Sequence, residues 1–511
     1  MIVSSAKRMV LALRRAKHLG SCARNFLANR AGNIGMTFAI TIVPLMTLVG
    51  GGLDYSSAIV IRQKMATALD MAALAVGKAA NLSDGEAMAV AERVFQANLS
   101  ALDNVAVGQL QMTVTPGVVN VAVSANMKTN FLGLVGINEV PINVQNQVVR
   151  ANRKIELVMA LDNTGSMSNN GKMDAMKNAA NELIEIMFMG ADTSDKVKIG
   201  LVPFSQTVNV GSQYRNASWM DVNGLSSING ENFSPKTHHF ELLSRTSNGS
   251  WGGCVEARPA PYDTTDAEAS SSTPDTLFVP YFAPDEPDSY YYINRYLSDN
   301  VSGTYEYRQS HTGKYLNATV YNSGGSKGPN YLCTTPPVTP LTNEKSTLKS
   351  SVASFNPQGW THIPMGLSWG WRLISPGAPF TEGTSYDDQE TVKAMILLTD
   401  GENTIAPRNN HNKSYYTAYG YLNKQRLGTD SQYTAITKLN GKTSTLCQNI
   451  KAAGIRLYTI TFDLANNTSV QNLMRDCASS PSMYFNSPTN DELRNAFQTI
   501  AGDLSKLRLS K

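Results

Sequence analysis

From Gly32 to Leu53 the chain runs for 22 residues without a charged side chain, and this segment limits everything around it. As a helix it would reach about 33 Å, enough to cross a bilayer core of about 30 Å. Lys7, Arg8, Arg14, Arg15, Lys17, Arg24 and Arg30 all lie ahead of it, no acid does, and Asp54 is the first acid beyond it. Positive charge is retained on the cytoplasmic side of a membrane helix. The expectation is therefore a single span over 32–53, a basic cytoplasmic tail at 1–31, and export of everything from Asp54 onward. A cleaved signal peptide is the competing reading. The apolar run is long for one, and no small-x-small site closes it. Pro44 is tolerable inside a membrane helix.

The charge balance then changes meaning. The 511 residues carry a net +4, yet without the seven N-terminal cations 37 basic residues face 40 acidic ones. That is no nucleic-acid footprint. Length alone allows roughly two to four domains, and a 42% hydrophobic chain with five cysteines is neither disordered nor a dense disulfide scaffold. Cys22 falls on the reducing side, whereas Cys254, Cys333, Cys447 and Cys477 fall on the exported side. Four thiols allow three connectivities. Cys254–Cys333 with Cys447–Cys477 is favoured because each pair closes within its own region. Zinc is the alternative, but no C-x-x-C occurs and the six His do not gather near the cysteines.

Beyond the apolar run, Ala58, Ile61, Met65, Ala68, Ala72 and Ala75 recur at helical spacing. The spacing predicts a helix, either continuous with the span or broken at Gly50-Gly51-Gly52. A second helix is expected over 84–98, with Ser83 as its N-cap and Glu86 in the capping-box position. The period then switches to two: Leu110, Met112 and Val114, then Val119, Val121 and Val123 about a turn at Pro116-Gly117, then a strand over 140–149. Residues 54–150 read as a long helix and a small antiparallel sheet. The segment Asn29-Arg30-Ala31-Gly32-Asn33, the apolar run with Phe38-Ala39, and the Asp54-Tyr55 exit into an Ala-rich helix resemble TadG-like proteins of tight-adherence (Flp-type) pilus assembly. Related minor pilins carry a Glu five residues after a processing Gly. Here that position is Thr37, so the anchor is read as uncut.

From Lys154 the rhythm alternates between strand and helix. Residues 155–161 form an apolar strand ending at Asp162, 173–189 an amphipathic helix, and 197–204 a second strand. Residues 395–398 run as a strand into Asp400, 433–453 form a helix, 455–462 a strand, and 491–509 a closing helix. This pattern argues an α/β fold with a doubly wound, mostly parallel sheet covered on both faces. It is interrupted by a Tyr-, Ser-, Asn-, Gly- and Pro-rich insert at 205–345, too long for a plain loop and too aromatic for disorder. A shorter polar insert occupies 402–430.

The sharpest motif is Asp162-Asn163-Thr164-Gly165-Ser166, where a strand meets a helix. A carboxylate and two hydroxyls at i, i+2 and i+4 can converge at the C-terminal edge of a parallel sheet, where ligands of such sheets bind. Oxygen donors without Cys or His select Mg²⁺, Ca²⁺ or Mn²⁺ over zinc. Thr361, just before a helix, and Asp400, in Thr399-Asp400-Gly401 after a strand, stand at similar positions. Each piece alone is commonly a cap or a turn. The three in chain order resemble the metal-ion-dependent adhesion site of von Willebrand factor type A domains, over 154–204, 342–401 and 442–511. The resemblance implies that Asp162, Thr164, Ser166, Thr361 and Asp400 hold a divalent cation, Mg²⁺ before Ca²⁺ or Mn²⁺. It further implies that an acidic side chain of a partner completes the shell.

Enzyme readings fare less well. Asn163 interrupts the Asp-Thr-Gly of an aspartic protease. Gly165-Ser166 lacks the flanks of a nucleophile elbow, and no P-loop or dinucleotide fingerprint follows a strand. His362 reads as a surface or supporting residue rather than a base. The resemblance to TadG-like proteins implies a non-enzymatic inner-membrane protein of a Gram-negative pilus system, and the charge pattern places its C-terminal domain in the periplasm. Its partner would be a pilus or secretion-system protein offering Glu or Asp, with no small-molecule substrate. A surface adhesin for host or matrix ligands is the first alternative, and a hydrolase with its site in the insert the second.

Overall fold

The computed structural model describes residues 33–78, 84–99, 102, 104–115, 118–149, 153–320, 327–464 and 467–509. The basic tail with Cys22, the Ser83 cap and the Pro116-Gly117 turn lie outside the described residues. The chain divides into two compact units, one ending at Arg150 and the other spanning Ala151–Ser510.

In the first unit, α1 (Asn33–Lys78) is one helix of 46 residues, about 69 Å long at the usual rise. It passes through Gly50-Gly51-Gly52 without a break. By length and composition it can cross a membrane. Its apolar N-terminal half is exposed, as at Ile34, Phe38 and Leu48, whereas Met65, Ala68, Leu69, Ala72, Ala73 and Val76 are buried. That buried stripe packs on Ala87, Ala91 and Phe95 of α2 (Asp84–Asn98) and on the inner face of an antiparallel sheet. The sheet consists of β1 (Val105–Val107), β2 (Gln111–Thr115), β3 (Val118–Lys128) and β4 (Glu139–Val149). β1 and β2 take successive stretches of one edge of β3, and β4 takes the other.

The second unit is mixed α/β. Its elements are β5 (Lys154–Asp162), α3 (Lys172–Phe188), β6 (Val197–Phe204), β7 (Val208–Asn209), α4 (His239–Arg245), β8 (Cys254–Val255), α5 (Tyr305–Ser310), β9 (Thr339–Thr342), α6 (Lys345–Ala353), α7 (Ile363–Ile374), β10 (Thr391–Thr399), α8 (Gln432–Ala452), β11 (Arg456–Phe462), α9 (Thr468–Cys477), β12 (Tyr484–Ser487) and α10 (Asn490–Leu509). Six strands form one sheet in the order β12-β11-β10-β5-β6-β9. Every neighbouring pair is parallel except β6 with β9. That antiparallel edge strand comes from the end of the stretch read as an insert, where four residues carry too little alternation to announce a strand.

β5 shows why its sequence is apolar at Ile155 and from Leu157 to Leu161. Ile155, Leu157, Met159 and Leu161 face a core shared with α3, α6 and α10. Val158 and Ala160 face the opposite core, with α7, α8 and α9. A strand covered on both faces needs apolar residues at every position. The two inserts are one body. Arg426 of the shorter insert pairs with Glu231 and Glu256 of the longer one, each at 2.7 Å, and Tyr281 Oη donates to Tyr416 O at 3.2 Å. Cys254 is bonded to Cys333, and Cys447 of α8 to Cys477 of α9.

At the edge of the sheet where β5 and β10 begin, Glu156 sits in register with Lys393. Their ion pair is 2.6 Å long and nearly wholly buried, and the Thr384 N–H donates to Glu156 at 3.0 Å. Removing one member strands a buried charge, at a cost of about 3–5 kcal/mol. Lys393→Met should lose that much in urea unfolding of the second unit, and adding Glu156→Gln should restore most of it. Equal loss in both variants would show that packing, not charge, is what the lysine contributes.

Candidate metal centre

The sheet order places the candidate residues before any side chain is considered. From β5 the chain moves outward to β6, and from β10 it moves the other way to β11 and β12. β5 and β10 are thus neighbours at the point where the order reverses, the position where open parallel sheets bind ligands. The strands pair in register, Leu161 beside Leu398, so Asp162 and the Thr399-Asp400 pair emerge at the same edge.

Three loops close around this edge. After Asp162, Thr164 is extended, residues Gly165–Ser168 make a tight turn, and α3 starts behind the left-handed Gly171. The loop before α7 is joined to this turn by backbone: the Gly165 N–H donates to Gly359 O at 2.9 Å, and the Gln358 N–H to Asn163 O at 2.8 Å. Gly359 has φ +89°, and a Cβ there would lie 2.1 Å from Gln206 Oε1, so a side chain is excluded twice over. α7 lies close on the sheet because Gly366 and Gly370 meet Phe204 and Met395 where a Cβ would have stood. Its first turn is held by Asn403, whose Oδ1 accepts from the Ile363 N–H at 2.8 Å. Thr361 is positioned by these contacts and by the Thr404 N–H donating to its carbonyl at 2.9 Å.

The side chains of all five candidates converge. Thr361 Oγ1 lies 3.3 Å from Thr164 Oγ1, Thr164 Oγ1 lies 3.1 Å from Ser166 Oγ, and Ser166 donates to Asp400 Oδ1 at 2.6 Å. Asp162 accepts from the Thr164 N–H at 2.9 Å and from the Thr399 hydroxyl at 2.7 Å. Asp162, Thr164, Thr361 and Asp400 are buried, while Ser166 is half-buried and forms the open side. Burial and the neighbouring Asp400 carboxylate push Asp162 up to about 7.

Sequence reasoning missed Lys172. It is the first residue of α3, buried, with Nζ 2.6 Å from Asp400 Oδ2 and 3.6 Å from Asp463. A signal was available: a lysine in the first turn of a helix opposes the helix dipole, so it implies an anion close by. His362 is buried, not on the surface. Its Nε2 faces Thr404 O at 3.1 Å, and burial lowers its pKa to about 4, so it is neutral and supports the loop.

Two carboxylates and three hydroxyls are hard oxygen donors of the kind Mg²⁺, Ca²⁺ and Mn²⁺ take. On the chemistry of its donors the set fits a divalent cation, with the Lys172 ammonium as its competitor for Asp400. Among the described residues no group of three or more His, Cys, Asp or Glu is placed to hold a metal, and this set relies on hydroxyls instead.

Fold and site together describe a mixed α/β domain, built on a mostly parallel sheet, with an oxygen-lined centre where its strand order reverses. Residues 32–81 match the profile of a family described as putative Flp pilus-assembly TadE/G-like. No curated protein matches. Among solved structures the chain is similar to the pilus adhesin SpaC from Lactobacillus rhamnosus GG, at 12% identity and TM-score 0.33, covering 78% of this chain and 34% of that one. It is also similar to the vWF domain of the type V pili tip protein Mfa5 from Porphyromonas gingivalis, at 11% identity and TM-score 0.34, covering 71% and 98%. A third is proximal thread matrix protein 1 from the mussel byssus with a zinc-occupied MIDAS motif, at 13% identity and TM-score 0.29, covering 70% and 47%. The chain thus matches about a third of SpaC's length, and likenesses this loose carry no functional argument.

The raised Asp162 gives a pH test. Without metal the folded protein keeps this proton up to about 7, while an unfolded carboxyl releases it near 3.8. The folded form holds the extra proton between those values, so its stability should fall as pH rises from about 4 to 7. Melting temperatures of the second unit in EDTA should show that slope, and Asp162→Asn should flatten it. An unchanged slope in the variant would assign it to another group.

Proposed function

We propose that this chain is a membrane-anchored component of pilus assembly whose exported part, 154–511, is a doubly wound von Willebrand A domain. In this reading the domain binds an acidic group of a protein partner through a divalent cation. The carrying observation is the convergence of three separated stretches onto one sheet edge: the side chains of Thr361, Thr164, Ser166 and Asp400 follow one another at 2.6 to 3.3 Å, and Asp162 is tied in through the Thr164 N–H and the Thr399 hydroxyl. The match at 32–81 supports the pilus setting. The seven cations ahead of the apolar run support a cytoplasmic N-terminus and a periplasmic domain.

A divalent ion held here would present a positive charge with room for one more carboxylate. The chain's own residues do the rest. Asp162 is held rigid by the Thr164 N–H and the Thr399 hydroxyl. Ser166 orients Asp400 from the open side. Lys172 shares Asp400 with any incoming cation and so limits how tightly one binds. The reading assigns no catalysis.

Mg²⁺, Ca²⁺ and Mn²⁺ titrated calorimetrically into fragment 54–511 should bind saturably, with all heat lost in the Asp162→Ala, Asp400→Ala variant. No heat with the unaltered fragment would sink the metal reading. In cells the same pair should abolish piliation; loss of ligand adhesion with pili intact would favour the adhesin instead. Lys172→Met should tighten Mg²⁺ by about tenfold, roughly 1.4 kcal/mol. Unaltered affinity would mean that the ammonium leaves Asp400 without cost.

A further inference from the structure

The loop joining β3 to β4, Thr129 to Asn138, carries no charged residue, and the register pair Lys128 and Glu139 closes it at the strand ends. Its apolar side chains point into solvent: Leu134 is 63% exposed, Ile137 49%, Val135 48% and Phe131 37%. The loop is also a built structure. The Thr129 N–H donates to Asn138 O at 3.0 Å and the Ile137 N–H to Leu132 O at 3.1 Å, with Gly136 left-handed at φ +88°. Soluble surfaces rarely spend four large apolar side chains on one rigid turn.

Its position supplies the occupant. The buried carboxylate of Asp54, which ends the uncharged run of α1, accepts the backbone N–H groups of Asn130, Phe131 and Leu132 at 3.1, 2.9 and 2.9 Å. Phe131 lies against Gly50, where an added Cβ would stand 2.4 Å from the ring, and Leu132 meets Gly51 in the same way at 3.0 Å. This accounts for Gly50 and Gly51 inside an unbroken helix: these two glycines admit the loop. The loop is therefore fastened beside the last turn of the apolar segment, next to Val49 and Leu53, which are 63% and 55% exposed. Where that turn meets the bilayer, the tip meets it too.

We propose that the 129–138 loop is a second membrane contact. Its Leu134, Val135 and Ile137 side chains insert among the acyl chains of the leaflet into which α1 emerges, seating the small sheet on the membrane surface. The occupant is lipid hydrocarbon, because an uncharged tip gives no reason to select anionic headgroups. The proposal rests on the reading of α1 as a membrane span, and its test separates the two.

The full chain with Cys22→Ser is reconstituted in phosphatidylcholine–phosphatidylglycerol vesicles, and single cysteines carry an environment-sensitive fluorophore. Leu134→Cys reports the tip, Phe38→Cys the span, and Gln145→Cys an exposed polar position on the sheet. At Leu134 the expected result is a blue shift, quenching by acyl-chain doxyl lipid and loss of quenching by aqueous iodide, as at Phe38 and unlike Gln145. Iodide quenching at Leu134 with Phe38 protected would overturn the loop proposal and leave the span standing. Iodide quenching at both positions would overturn the span reading and the loop proposal with it. Protection of Leu134 from both quenchers would show a protein partner on the tip, and would also overturn the proposal.

Discussion

Two carboxylates emerge from neighbouring parallel strands at one buried edge, and the architecture of the second unit is arranged around that fact. Buried charge is costly unless paired. Burial first, and then the neighbouring Asp400 carboxylate, push Asp162 up to about 7. The fold answers with short-range donors: Thr399 and the Thr164 N–H on Asp162, Ser166 and the Lys172 ammonium on Asp400. Apart from the Thr164 N–H, which is local to the β5 loop, these donors reach across from one strand end to the other and would be out of range if β5 and β10 were separated by another strand. The reversal of strand order is what makes them neighbours.

The same economy of charge appears across the rest of the unit. At the other end of β5 and β10, Glu156 and Lys393 are register partners whose charges cancel inside the sheet. In the insert body, Lys314 pairs with Asp285 at 2.7 Å, both fully buried, and Arg426 bridges Glu231 and Glu256. Glu286 receives the Ile293 and Asn294 N–H groups at 2.8 Å. These polar anchors let long segments with little regular secondary structure hold one shape, since each buried polar group constrains its partner.

In the first unit a single carboxylate has the equivalent role. Asp54 joins the end of an apolar helix to the turn between two strands through three backbone donors. The glycines one turn earlier are the steric condition for that junction. Helix, turn and sheet are consequently one piece, with apolar surface continuous from α1 to the loop tip.

Much of this was legible in the sequence because it is local. The uncharged run with its one-sided basic flank, the two-sided apolar strand at 155–161, the amphipathic 173–189 helix and the Asp162-Thr164-Ser166 spacing all depend on neighbours within a few residues. Thr361 and Asp400 were legible by their places beside a helix and a strand, but only resemblance joined them to Asp162, since nothing local brings residues 199 and 238 positions downstream to it. The remainder was decided in three dimensions. Lys172 gains its meaning from an aspartate more than two hundred residues away, and β9 is a strand only because β6 offers an open edge. The polar 402–430 stretch is ordered because the longer insert supplies its partners. Gly50 and Gly51 make sense inside a continuous helix once a distant turn is seen to fill the space they leave. Pairing and close approach are properties of the assembled chain, and the sequence carries them only as residues that look out of place until their neighbours arrive.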